Sequence, residues 1–172
     1  MLPAMLSIAE RSAMRLDGDL FDLAESATHA DRVVSPADRV RALRLPLGPA
    51  HIVSGLAAAW VHGVAALPTT VDVATLRHRR ADVPAGCRAL IRRVALDTCL
   101  QVDGVRVTSR LRTAVDLLAD DPYDDAARIA IRLLVDDVEA VRRAIGVSGR
   151  RSVARSLERL AALEAQAALS RR

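Results

Sequence analysis

The sequence predicts an α+β domain: a small, mostly antiparallel sheet with helices packed on it and a helical C-terminal third. Three observations carry this. Strand patterns cluster between Thr70 and Val107, an Asp-Gly pair sits between two alternating runs, and every pattern after Ser109 is helical.

The elements follow in order. Residues 5–25 read as an irregular helix, with Gly18 between Asp17 and Asp19 marking a break. Ser35-Pro36-Ala37-Asp38 is a helix start: an N-cap serine, a proline whose fixed φ suits the first turn, and a carboxylate at the positive end of the dipole. That helix is expected to reach about Leu43. His51-Ile52-Val53 is a short buried strand, and Leu56 to His62 an Ala-rich helix closed by Gly63. Thr70 to Thr75 alternates, with Val71 and Val73 expected on one face. Pro84-Ala85-Gly86 is a turn and Ala89 to Val94 a further strand. Leu100–Val102 and Val105–Val107 flank Asp103-Gly104, the pair that a type I′ hairpin turn favours because both central residues need positive φ.

Ser109 caps a helix with the stripe Leu111, Ala114, Val115 and Leu118. Asp121 is expected to cap the next, with Pro122 first in the helix and Ile129, Leu133 and Leu134 as its core face. Asp137 opens a short helix ended by Gly146. Ser148 or Ser152 opens the last, striped by Val153, Leu157, Leu160 and Leu163.

Composition narrows the chemistry. At 172 residues the chain has the size of one domain. Phe21, Trp60 and Tyr123 are the only aromatic residues, so small aliphatic side chains must build the core around Trp60. All 25 basic residues are arginine, as a GC-rich genome would produce. The lack of lysine excludes a Walker-type phosphate loop, a Schiff-base lysine and a Ser–Lys nucleophile pair. The net charge of +4 admits nucleic acid or an acidic protein surface as partner, while scarce aromatics disfavour recognition by base stacking.

Cys87 and Cys99 form no disulfide framework and no zinc spacing, which fits a reducing compartment. The N-terminal MLPAMLSIAER lacks the basic start of a signal peptide. Glycines, Pro49 and histidines break the apolar stretch Leu45–Pro68, so it reads as core rather than as a membrane span. A cytoplasmic protein without membrane partner is expected.

Four groups of residues invite a functional reading. Trp60-Val61-His62-Gly63 contains a histidine, but no nucleophile or second histidine accompanies it, and a histidine at a helix C-terminus is favourable in its own right. Arg77, His78, Arg79 and Arg80, with Arg88, Arg92 and Arg93, form the densest basic segment, offset only by Asp82. If strands 70–75 and 89–94 pair, these arginines gather at one end of the sheet as a phosphate or acidic-protein footprint; a solvated loop is the plain alternative. Asp120, Asp121, Asp124, Asp125, Asp136, Asp137 and Glu139 fit no calcium loop and sit where helix N-termini favour carboxylates. Arg110 and Arg112 oppose the dipole of the helix they open, which implies either Asp116 as an i+4 partner or an external one. No metal, cofactor or catalytic residue is expected.

Three segments then resemble a known family. They are Gly55–Gly63 (GLAAAWVHG), Val71–Arg80 (VDVATLRHRR) and Val102–Leu118 (VDGVRVTSRLRTAVDLL). Their order is similar to that of the AbiEi-type antitoxins of type IV toxin–antitoxin systems in their actinobacterial form, over about Ser35 to Leu163. The third segment is the most specific, combining the hairpin turn at Asp103-Gly104, a capped helix start and an Arg-Thr-x-x-Asp run.

The resemblance implies a non-enzymatic, transcription-regulating antitoxin whose partner toxin is a nucleotidyltransferase. In that family an N-terminal winged helix binds operator DNA and the C-terminal domain supports antitoxicity and assembly. The expected organisation is an irregular helical segment at 1–34 standing for a truncated or missing winged helix, an antitoxin core at 35–165 and a frayed tail at 166–172. Operator binding is then expected to be weak. The remaining alternatives are a DNA-binding repressor that uses the arginine-rich surface and a degenerate remnant that only oligomerises. The toxin's own chemistry is excluded, because it needs a Gly-Ser followed by paired aspartates and Val71-Asp72-Val73 supplies one.

Overall fold

The computed structural model describes residues 7–24, 26–75, 83–90, 94–147 and 152–169. The architecture is α+β, and the chain divides into two compact units between Pro46 and Leu47. That division lies after the helix that begins at Pro36, rather than at residue 35.

The first unit holds helix α1 (Ile8–Leu16), strands β1 (Leu20–Leu23) and β2 (Ser26–His29), and helix α2 (Pro36–Ala42). Ser7 caps α1 reciprocally with Glu10, and Gly18 at φ +80° takes the chain out of the helix. Helix was expected to continue to residue 25, but Leu20–His29 forms an antiparallel hairpin, Leu20 opposite His29. The left-handed residue at Gly18 ends the helical path, and the hairpin buries Leu20 and Leu23. Ser35 and Asp38 cap α2 as expected, and Asp38 also accepts from Arg32 at 2.9 Å and Arg41 at 2.8 Å.

The second unit is built on a five-stranded mixed sheet. Its strands are β3 (His51–Val53), β4 (Val71–Thr75), β5 (Cys87–Leu90), β6 (Cys99–Val102) and β7 (Val105–Thr108), in spatial order β5-β4-β3-β7-β6. β3–β4 and β6–β7 are antiparallel; β3–β7 and β4–β5 are parallel. Among the described residues, counting the separate hairpin, antiparallel pairs outnumber parallel ones three to two. Ile52, Val53, Val71, Val73 and Ala74 are all buried, so the interior strands are covered on both faces and do not show the half-buried alternation expected of residues 70–75. The expected strand at 89–94 begins earlier, at Cys87, and its residues 91–93 lie outside the described residues.

Helix α3 (Gly55–Val61) follows β3 directly, and Gly63 at φ +80° follows it. The C-terminal helices are α4 (Arg110–Ala119), α5 (Asp125–Leu134), α6 (Val138–Val147) and α7 (Val153–Leu169). One apolar cluster joins all four: Ala114, Val115, Leu117 and Leu118 from α4, Ala127, Ala130, Ile131 and Leu134 from α5, Val141 and Ile145 from α6, and Leu160 and Leu163 from α7, with Ala59 entering from α3. Trp60 is 4% exposed, as its size demands, but that cluster takes its neighbour Ala59 and not Trp60. Successive helical residues point about 100° apart, and here Ala59 turns toward the C-terminal helices while Trp60 is buried outside that cluster.

Several helix details differ from expectation. Asp124, not Asp121, caps α5 by accepting from the Ala127 amide at 2.9 Å. The α5 core face is Ala127, Ala130, Ile131 and Leu134, at i, i+3, i+4, i+7, while Ile129 and Leu133 are 55% and 53% exposed. The small alanines line the seam, and small side chains allow close approach of packed helices. Leu111 is exposed at the start of α4, and Gly146 lies inside α6 rather than ending it. α7 continues through residues 166–169, where a frayed tail was expected. Asp137 does cap α6, its carboxylate accepting from the Ala140 amide at 3.1 Å. Ser152 immediately precedes α7, while Ser148 lies outside the described residues.

Candidate functional site

Three of the seven buried polar residues among those described, Thr108, Thr113 and Asp116, lie where β7 hands over to α4. Asp103 at φ +47° and Gly104 at φ +79° make the β6–β7 turn, which sets Val102 opposite Val105. β7 then ends at Thr108, and the Ser109 hydroxyl accepts from the Arg112 amide at 3.2 Å to cap α4. Thr113, buried one turn into the helix, reaches back. Its hydroxyl lies 2.7 Å from that of Thr108 and 2.8 Å from the Ser109 carbonyl. Arg112 Nε donates to Asp116 Oδ1 at 2.8 Å, with Asp116 fully buried. The Arg-Thr-x-x-Asp run thus fastens the helix start to the strand end, and Arg112 has the i+4 carboxylate as its partner.

His62 joins the same junction from the C-terminal end of α3. Its Nε2 lies 2.8 Å from the Thr108 carbonyl, a contact in which the ring N–H donates. Burial holds its pKa below the ordinary value, opposing the Thr108 hydrogen bond, and nearby Arg110 adds to the depression. The imidazole is therefore neutral around pH 7, with one nitrogen occupied by a backbone carbonyl. Arg110 in turn donates to the Leu133 carbonyl at 2.5 Å and lies 3.7 Å from Asp136.

A second junction escaped sequence reasoning. Asp72 lies directly opposite Arg88 on the parallel neighbours β4 and β5, and the two form a bidentate pair at 2.5 and 2.8 Å. The Asp72 carbonyl accepts from the Ser54 amide at 3.0 Å. Gly55, at φ +60°, sits so close that an added Cβ would meet Asp72 Oδ2 at 2.9 Å. Arg88 therefore leaves the basic cluster, and Asp72 must be counted with Asp82 against it. The signal in the sequence was the strand carboxylate itself, which alternation alone had assigned to an outer face.

Arg77, His78, Arg79, Arg80, Arg92 and Arg93 lie outside the described residues. The strands that lead into them are described. β4 and β5 run the same way and finish together, Ala74 opposite Leu90. Arg110 and Arg112 belong to the opposite end of the sheet, because β7 is parallel to β3 and β3 is antiparallel to β4.

The acidic stretch is used within the fold. Asp121 accepts from Arg155 at 2.9 Å and Arg159 at 2.6 Å, and the Arg159 hydrogen bond is the main reason its pKa is lowered. Asp125 pairs with Arg128 and Glu139 with Arg142. Among the described residues, no group of three or more histidines, cysteines and carboxylates could hold a metal ion. Cys87 and Cys99 are free thiols on the two outer strands, and burial raises the pKa of both, which lowers their reactivity. Among the described residues, no helix is long and apolar enough to cross a membrane.

No family model, curated protein or solved structure matches the chain.

Proposed function

We propose that this protein acts by binding, as an antitoxin-like regulatory domain that neutralises or regulates a nucleotidyltransferase-type toxin. The observation that carries the proposal is the parallel pairing of β4 and β5. It starts the two arginine-bearing segments, Arg77–Arg80 and Arg92–Arg93, from neighbouring strand ends. Cationic segments that follow two neighbouring strand ends suit an acidic protein surface. The described side chains that invite catalytic roles support a non-catalytic reading, since His62, Arg112 and Asp121 each have a structural partner. The likeness of Val102–Leu118 to AbiEi-type antitoxins supplies the toxin class.

The second reading is DNA binding through the same arginines, as a repressor. The first unit lends it little electrostatic help. From Ser7 to Ala24, Glu10, Asp17, Asp19 and Asp22 outweigh Arg11 and Arg15, and Arg15 is paired with Asp22 at 2.7 Å. A pull-down of an adjacently encoded nucleotidyltransferase-like protein, run beside a gel-shift with upstream DNA at two salt concentrations, separates the readings. Toxin capture that is lost on replacing Arg77, Arg79 and Arg80, with no DNA shift, is the expected result. A DNA shift without capture favours the repressor, with affinity falling by about 0.9 log units per log unit of salt for each phosphate contact. Failure of both assays leaves the oligomerising remnant.

A further inference from the structure

The solvent side of α5 is unlike that of the other helices in the C-terminal cluster. Opposite its buried face of Ala127, Ala130, Ile131 and Leu134 runs a ridge at i, i+4 and i+7: Asp125, Ile129 and Arg132. Leu133 flanks it. Ile129 and Leu133 are more than half exposed, and Ile129 stands between a carboxylate at one end and a guanidinium towards the other.

That order makes the ridge self-complementary. We propose that α5 pairs with α5 of a second copy of this chain, antiparallel about a twofold axis near Ile129. Ile129 then packs on its own counterpart, and Asp125 of each copy meets Arg132 of the other. An isologous contact forms every such pair twice. Asp125 currently pairs with exposed Arg128 and Arg132 with Gln166, surface contacts that are weak enough to exchange. A partner helix of uniform charge would satisfy only one end of the ridge, which is why a second copy fits it best. The inference uses no residue of the arginine segments and stands apart from the proposed function.

Ten residues of helix span about 15 Å, so the ridge buries less than a standard interface and the dimer is weak, with a Kd on the order of 100 μM. Sedimentation velocity of the full chain, from about 10 μM to about 1 mM, brackets that value. The wild-type sedimentation coefficient should rise across the range. Ile129→Glu should stay monomeric, with Ile129→Ser giving the same readout if the glutamate disturbs the far-UV circular dichroism. Asp125→Arg and Arg132→Asp should each weaken association about tenfold, and the double exchange should restore it. A wild-type chain monomeric throughout, an Ile129 variant that associates like wild type, or a double exchange that fails to restore pairing would each overturn the proposal.

Discussion

Replacing Arg112 by Met asks how much the buried Arg112–Asp116 pair contributes to stability. An exposed i, i+4 pair on a helix is worth about 0.3–0.5 kcal/mol. This pair is different, because Asp116 is fully buried and the Arg112 side chain only 16% exposed. Two unit charges about 4 Å apart interact by about 4 kcal/mol at an effective dielectric constant of 20. Removing one member of a buried pair typically costs about 3–5 kcal/mol, since the other charge stays in the interior. Residual solvent at Arg112 and the packing of the methionine stem reduce this, so Arg112→Met should cost about 3 kcal/mol. Asp116→Asn keeps an acceptor and loses only the charge, and should cost roughly half as much. Urea unfolding followed by Trp60 fluorescence and far-UV circular dichroism supplies the free energies, and a cycle with the double variant isolates the coupling. An Arg112→Met loss within about 0.5 kcal/mol would show that the pair behaves as a surface pair and would refute the argument.

Trp60→Ala should cost about 3–5 kcal/mol in urea unfolding monitored by circular dichroism, because a nearly buried indole leaves a cavity that small aliphatic neighbours cannot fill. Gly55→Ala should destabilise by about 2 kcal/mol or more, since it combines a strained positive φ with a Cβ pressed against Asp72, and thermal melting reads the loss. His62 titrates below its ordinary 6.5 when folded, so between the folded value and 6.5 the unfolded chain takes up the proton first. Stability therefore falls as pH drops through that window, and His62→Gln should flatten the difference between urea midpoints measured at about pH 7.5 and pH 5.5. An unchanged difference in the variant would assign that pH dependence to other groups.

Local signals in the sequence determined the turns and caps. Asp103-Gly104 could make one kind of hairpin, Ser35-Pro36 and Ser109 could each open a helix, and Gly63 could close one, because these outcomes depend on φ preferences and on hydrogen bonds within three or four residues. The α+β class followed from the order of those elements. Tertiary structure decided what those rules cannot reach. Whether Ile129 or Ile131 faces inward depends on which helix lies alongside α5, and the face taken inward pairs Ile131 and Leu134 with two alanines, leaving the equally large Ile129 and Leu133 outside. Asp121 was diverted from capping by Arg155 and Arg159, more than thirty residues away in sequence. The parallel pairing of β4 with β5 set Asp72 against Arg88 and so removed one arginine from the basic cluster, and it placed the described ends of those two strands side by side. Register between strands and choice of helix face are settled by burial of non-local partners, and a single chain read along its length does not contain the distances that settle them.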